Sequence, residues 1–464
     1  MQESELLVKI AQTLQSANLK KSNQLINHKS ADALKAVLDL DLQAENAQSW
    51  DALFNWVEKY LTYSPNTSHP NFANRMWSGA NPSSIVGEIV TALSNTSACT
   101  FESAPVATLM EAYMLEQMLE IVGFENGEGQ MTTGSSNANM IAMMVARNQV
   151  LASAKQQGLF NQKPLFAFVS ADAHYSLDKA VNILGIGTEH LIKIPTLDSG
   201  EMDSIALDSA IQKVTNNEGT AFFVCATLGT TVRGAYDNIE DLFKLRNKHN
   251  FWLHGDGAWG GAAMMSETLK NKYLTGMHKL DSFTMDFHKM LGSNLMCNFL
   301  LLNHQNLLSC TCADGDNSYI FREKQLDLGV SSLQCGRRVD SLKWFLDWKF
   351  YTKIGFAQRV ENYHLLASFT EDFIKQTDEL EMVVACSSFN ICFRFKVNEK
   401  DANAFNQKLR DTLLHDEQAL FALATIEEKL VFRLLISNVN LDKKKLSTLL
   451  EHLIKTGLEL KSSV

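Results

Sequence analysis

No stretch of this 464-residue chain approaches the roughly 20 consecutive apolar residues that a bilayer-spanning helix requires, so no membrane span is expected. Positive charge is also scarce. Lysine and arginine number 42 against 52 aspartate and glutamate, and the basic runs Lys20-Lys21 and Lys443-Lys444-Lys445 are too short to form a stripe. No nucleic-acid footprint is therefore expected, and those runs read as solvated helix faces. The eight cysteines are scattered, and the closest pair, Cys310 and Cys312, lacks the second pair that a zinc site needs. Reduced thiols in a cytoplasmic protein are the expected state. The amino terminus carries Glu3 and Glu5 ahead of Lys9 in an amphipathic stretch, without the basic start and apolar core of a signal peptide. Internal repeats and low-complexity tracts are missing too. What is present is an apolar fraction of 45%, enough at this length to bury one large core and a smaller one.

The pattern along the chain divides it into three parts. Leu6, Leu7, Ile10 and Leu14 recur at helical spacing, as do Leu53, Trp56, Val57 and Tyr60, so residues 1–66 read as a helical arm. Short amphipathic helices of this kind need a surface on which to bury their apolar faces. The turn formers of Ser64-Pro-Asn-Thr-Ser-His-Pro70 mark entry into a large domain expected over 67–345. Within it apolar runs alternate with amphipathic helices: Leu165–Val169, Leu191–Ile194, Ala221–Cys225, Phe251–His254, Asp281–Met285 and Cys297–Leu302. Such alternation predicts an α/β fold with a mostly parallel sheet covered on both faces, and a cofactor beyond the strand carboxyl ends. Strand patterns at Ile391–Phe395 and Val431–Ile436, followed by an amphipathic helix, predict a smaller α+β domain over 346–464.

The residues with chemistry fall where such a sheet would expose them. Trp252-Leu-His-Gly-Asp-Gly-Ala-Trp-Gly260 reads as a buried strand ending in an acid and a glycine turn, and Asp281-Ser-Phe-Thr-Met-Asp-Phe-His-Lys289 brings a His-Lys pair after another strand. A lysine that bonds to an aldehyde and a carboxylate that holds a pyridinium nitrogen are the two groups a pyridoxal-phosphate site requires, which makes Lys289 and Asp256 the leading candidates. Thr132-Thr-Gly-Ser-Ser-Asn-Ala-Asn139 feeds a helix, whose positive end suits a phosphate dianion; Ser135 and Ser136 are the candidate ligands, the alternative being a simple helix cap. Ala171-Asp-Ala-His-Tyr-Ser176 places His174 at a strand end, and Cys225–Asp237 adds a strand followed by a threonine-glycine turn.

Together with His69-Pro70, Ala104-Pro105, Gln334-Cys-Gly-Arg-Arg-Val-Asp340 and Phe432-Arg-Leu-Leu-Ile-Ser-Asn438, these segments resemble the group II pyridoxal-phosphate-dependent amino-acid decarboxylases, among them the glutamate, cysteine-sulfinate and aromatic amino-acid enzymes. The resemblance covers most of the chain outside the arm. It implies an aspartate-aminotransferase-like fold, a homodimer with sites at the interface, and loss of the substrate α-carboxylate as CO₂. By resemblance Lys289 carries the cofactor, Asp256 pairs with the ring nitrogen, His174 and Ala258 lie on the two ring faces, and Ser135 and Ser136 hold the phosphate. Thr231 and His288 match further cofactor-binding positions, and Arg433 matches the arginine that receives the substrate carboxylate. Two positions depart from the glutamate decarboxylases. Leu326 stands where a proton-donating tyrosine is found in those that carry one, as leucine does in the cysteine-sulfinate enzymes, which leaves Tyr319 as candidate donor. Arg75 replaces a glutamine that helps bind the distal acid group; a structural pairing with Glu102 or Glu111 is its alternative role. The expected reaction is decarboxylation of glutamate, aspartate or cysteine sulfinate. The rivals are an aromatic or diamino-acid decarboxylase and a catalytically silent cofactor-binding dimer.

Overall fold

In the computed structural model, residues 3–21, 24–38, 40, 49–313, 320–322 and 326–462 are described. They form two compact units: 80–368 with 384–390, and 1–79 with 369–383 and 391–464. The arm expected at 1–66 shares a unit with the carboxyl-terminal residues. The boundary expected at 345/346 lies inside the helical segment Ser341–Lys375, which is broken by a kink at the non-helical Thr352 (φ +61°), and the units part at 368/369. Trp344, in the first turns of that segment, is fully buried.

The first unit is built on a seven-stranded sheet. Its strands are β2 (Glu128–Thr132), β3 (Leu165–Ser170), β4 (Leu191–Ile194), β5 (Thr220–Thr227), β6 (Trp252–Asp256), β7 (Ser282–Asp286) and β8 (Asn298–Leu302), in the order β2-β8-β7-β6-β5-β3-β4. Strands β3 to β7 are parallel, and β8 runs antiparallel between β7 and β2. Every residue of β6, β7 and β8 is buried, as a sheet covered on both faces demands of its central strands. The helix Ser135–Val150 turns Ala138, Ile141, Ala142 and Val145 into the core, the i, i+3, i+4, i+7 spacing of one helix face, where they join Phe223, Cys225 and Leu300. The six strands expected in this part of the chain are present within a residue or two of their predicted positions; β2, Glu-Gly-Gln-Met-Thr, lacks an apolar pattern and was not legible.

The second unit carries the five-stranded sheet β1 (Phe72–Ala73), β11 (Leu420–Ile426), β12 (Lys429–Leu435), β10 (Asn390–Phe395) and β9 (Leu380–Met382), in that order. Leu25, Phe72 and Leu420 share a small core, so the amino-terminal segment packs with this sheet. The helices expected in the arm are Glu3–Lys21 and Trp50–Tyr63. Among the described residues no helix is long and apolar enough to cross a membrane.

Candidate active site

Parallel strands put their carboxyl ends on one edge, and the chemistry-bearing residues lie just beyond that edge. β3 leads to His174, β5 to Thr231, β6 ends in Asp256, and β7 ends in Asp286, three residues before Lys289. β2, aligned with the parallel strands through the antiparallel β8, delivers Gly134 and the helix that starts at Ser135. Gly134 has φ +115°, a conformation that L side chains rarely adopt, and the helix begins there without a side-chain cap. The first backbone N–H groups of a 16-residue helix are thus left to a ligand.

Lys289 Nζ lies 2.8 Å from Asp286 Oδ2, and the Asp286 side chain is only 3% exposed. Burial by itself would raise the Asp286 carboxyl. The charges of Lys289 and His288, with hydrogen bonds from Lys289 and Ser135, outweigh that and hold it below its ordinary value. Asn298 Nδ2 reaches Asp286 Oδ1 at 2.7 Å and Ser135 Oγ at 2.9 Å, tying the lysine's counter-ion to the helix N-terminus. His288 is buried beside them, its Nδ1 2.9 Å from Cys297 O, and burial lowers its pKa. Asp256 is 6% exposed; it accepts hydrogen bonds from Asn139 Nδ2 at 2.8 Å and from the Ala258 backbone N–H at 3.1 Å.

His174 is half-buried, and its Nδ1 accepts from the Ser176 N–H at 3.2 Å, which leaves Nε2 to carry the proton of the neutral ring. Burial lowers its pKa; the Asp256 and Asp286 charges act against that and the Lys289 charge with it, so these four groups share one electrostatic neighbourhood. The buried polar atoms without a hydrogen-bond partner among the described residues include Asn137 Oδ1, in the first turn of the helix, and Thr227 Oγ1, on the residue that pairs with Asp256 across β5 and β6. Orphaned atoms of this kind need a partner, and an uncapped helix end with a buried carboxylate and a lysine is a donor set suited to a phosphorylated pyridine aldehyde.

The structure therefore brings Ser135, Ser136, His174, Asp256, Ala258, His288 and Lys289 to one strand edge, with Thr231 in the adjoining turn. The Ser135 hydroxyl is already engaged by Asn298 and Asp286, whereas Ser136 is exposed. Tyr319 lies outside the described residues, and Leu326 is half-buried in a turn ahead of Asp327. Arg75 and Arg433 belong to the other unit. Arg433 is 9% exposed and donates from Nη2 to Asn74 O at 3.4 Å, while Arg75 is exposed. The acids weighed as structural partners of Arg75 have other cations: Glu111 pairs with Arg337 at 2.5 Å and Glu102 with Arg322 at 3.6 Å. Sequence reasoning missed Asp286, Asn139 and Asn298. The first two stood inside segments singled out for other residues. Asn298 opens an apolar strand and gave no signal, since an amide's partners are set by the fold.

A pyridoxal-dependent decarboxylase conserved domain is matched over residues 32–396. The chain belongs to the pyridoxal-dependent decarboxylase family. It is an amino-acid decarboxylase whose cofactor is pyridoxal phosphate. The decarboxylase is 35% identical to human cysteine sulfinic acid decarboxylase over 379 residues, 81% of this chain and 76% of that protein. It is 31% identical over 399 residues to the glutamate decarboxylase of Drosophila melanogaster, 84% of this chain and 78% of that one. The crystal structure of mouse CSAD in apo form superposes with a TM-score of 0.93 at 30% identity, covering 98% of this chain and 99% of that chain. The fold expected from the sequence is the one these relatives share.

Proposed function

We propose that the decarboxylase acts on a small acidic L-amino acid (glutamate, aspartate or cysteine sulfinate), releasing CO₂ and the corresponding amine. The observation that carries this reading is the joined site of Lys289 with Asp286, Asp256 and His174 on one strand edge, in a chain whose relatives are named for acidic substrates. Pyridoxal phosphate, when bound, supplies an aldehyde for the substrate amine and a ring that accepts the electron pair left at Cα as CO₂ departs. In this reading Lys289 is the covalent anchor, and Asp286 is the counter-ion that keeps its freed ammonium in place. Asp256 holds the ring nitrogen, and the helix N-terminus with Ser135 and Ser136 holds the phosphate. His174 and Ala258 take the two ring faces, Thr231 and His288 complete the cofactor contacts, and Tyr319 supplies the proton on the sequence reading.

Arg433 and Arg75 are the proposed carboxylate receivers. Burial, together with the Arg75 charge, lowers the Arg433 guanidinium below its ordinary pKa. Two cations within electrostatic range of each other are eased by an anionic ligand, and a substrate with two acid groups provides one for each. A homodimer is part of the proposal. The helices Pro82–Ser94 and Pro105–Val122 expose Ile85, Val86, Ile89, Val90, Val106 and Leu109, apolar side chains of the kind that an interface covers. A cytoplasmic location fits the eight cysteines, all of which are free thiols.

The test is incubation of the purified, cofactor-loaded protein with a panel of amino acids, measuring CO₂ and amine. Turnover is expected to be highest with an acidic one. Preference for 2,4-diaminobutyrate or an aromatic amino acid over every acidic one would overturn the substrate assignment. Borohydride reduction followed by peptide mapping is expected to fix the cofactor on Lys289, with no trapping in Lys289→Ala; attachment at another lysine removes the site assignment.

A further inference from the structure

Behind Asp256 runs a chain of buried hydrogen bonds that the reaction as described does not use. Asn139 Nδ2 donates to Asp256 Oδ2 at 2.8 Å and to Ser176 Oγ at 2.9 Å. Both amide hydrogens are thereby committed, so Asn139 Oδ1, 2.9 Å from His254 Nε2, accepts, and Nε2 carries the hydrogen. His254 is fully buried, and burial pushes its pKa down to about 4 against the pull of the Asp256 charge, so the ring is neutral and Nδ1 is a bare lone pair. Ser282 Oγ, 2.7 Å from Nδ1, must then donate to it, and its own lone pair accepts the Trp252 indole N–H at 2.8 Å. An indole can only donate. Every hydrogen from Trp252 to Asn139 therefore points one way, toward the carboxylate, and bonds aligned in this sense polarise one another.

We propose that Trp252, Ser282, His254 and Asn139 form a one-directional donor relay that fixes Asp256 from behind as the acceptor for the cofactor's ring nitrogen, with Asn139 and His254 as positioning residues acting through it. This rests on the reading that Asp256 takes the cofactor's ring nitrogen. A carboxylate pinned by a donor on its rear side presents its remaining lone pairs to the ring as a fixed acceptor, so the proton between them stays on the ring nitrogen, where it makes the ring an electron acceptor. Without the relay that proton shifts toward Asp256. Asn139 and His254 would then govern the cofactor's electronic state without touching the reacting atoms. His254 is on the same strand as Asp256, and Asn139 is on the helix that presents the phosphate site, so one device fixes both ends of the cofactor cradle.

The test has two arms. In the wild-type apo-protein, ¹⁵N NMR of the His254 imidazole is expected to show the Nε2–H tautomer, uncharged at pH 6; an Nδ1–H tautomer or a charged ring there reverses the relay and overturns the proposal. In the loaded protein, the ring-nitrogen resonance of ¹⁵N-labelled pyridoxal phosphate is expected at the protonated position for wild type and displaced toward the neutral one in Asn139→Leu and His254→Leu. Cofactor Kd should rise roughly tenfold to a hundredfold, the loss of one charge-assisted bond. His254→Gln, which keeps a donor at that end, should restore the wild-type resonance. Asp256→Ala separates the two ideas. If it leaves the ring nitrogen unchanged, the Asp256 reading itself fails; if it neutralises the ring while Asn139→Leu does not, the relay alone fails.

Discussion

Lys289 and Arg75 show how differently two cations are treated. Lys289 is held at 2.8 Å by Asp286, whereas Arg75 is exposed, and neither acid weighed as its partner is spare, Glu111 and Glu102 being paired with Arg337 and Arg322. If Arg75 receives the distal acid group of the substrate, Arg75→Gln should raise KM for the acidic substrate about tenfold and leave cofactor affinity unchanged, a split that steady-state kinetics with cofactor titration resolves. A second residue-scale consequence concerns stability. His254 has a folded pKa of about 4 against an ordinary 6.5, so between those values the unfolded chain takes up a proton that the folded one refuses. The stabilisation is present above pH 6.5 and is lost as pH falls toward 4, in all about 3 kcal/mol. Urea midpoints measured across that window should show this slope in the wild type and lose this component in His254→Gln; equal slopes would mean that His254 titrates normally.

At the scale of elements, the strand-end turns are as important as the strands. Gly229, in the turn after β5, has φ +97°, and a Cβ there would stand 2.7 Å from Gly260 N and 2.8 Å from Gly260 Cα, in the turn after β6. These are backbone atoms that cannot rotate away, so the turns carrying Thr231 and Ala258 are spaced by the missing side chain. Gly229→Ala should cost about 2–4 kcal/mol and weaken cofactor binding, read by denaturant unfolding and cofactor titration. A neutral outcome would show that the turns part without consequence. Arg337 offers a parallel case. Its motif was visible in the sequence, but its work is to brace the end of β2, through Met131 O at 3.3 Å and Ala98 O at 2.7 Å, next to the loop that leads to Ser135. Periodicity found the five inner strands β3, β5, β6, β7 and β8 because burial on both faces leaves apolar runs, and it found the edge strand β4 by its Leu-Ile-Lys-Ile pattern. It missed β1, β2, β9 and β11, whose short or mixed sequences are strands only because a neighbour pairs with them.

For the whole molecule, the outstanding feature is apolar surface. Val86, Ile89 and Val106 are 54%, 49% and 63% exposed, and in the other unit the arm helices expose Leu7, Ile10, Leu53 and Val57. If the helices Pro82–Ser94 and Pro105–Val122 are the seat of a homodimer, Ile89→Asp should convert the dimer to monomer in light scattering, because a charge buried at an apolar contact costs several kcal/mol. A wild-type monomer at micromolar concentration would remove the homodimer from the proposal.

The sequence by itself determined the class of fold and the cofactor, and singled out Lys289, Asp256 and His174 as candidates, because these depend on local facts: apolar runs of strand length, glycine turns after them, and residue types that one chemistry requires together. Tertiary structure decided the rest. That Asp286 rather than solvent faces Lys289, that Asn298 joins β8 to the helix N-terminus, and that His254 reaches Asp256 through Asn139 are contacts across residues 3 to 163 apart. Apart from the i,i+3 pair of Asp286 and Lys289, no periodicity reports them. A buried polar side chain takes whatever partner the packed strands deliver, since leaving it unpaired costs more than any local preference can return.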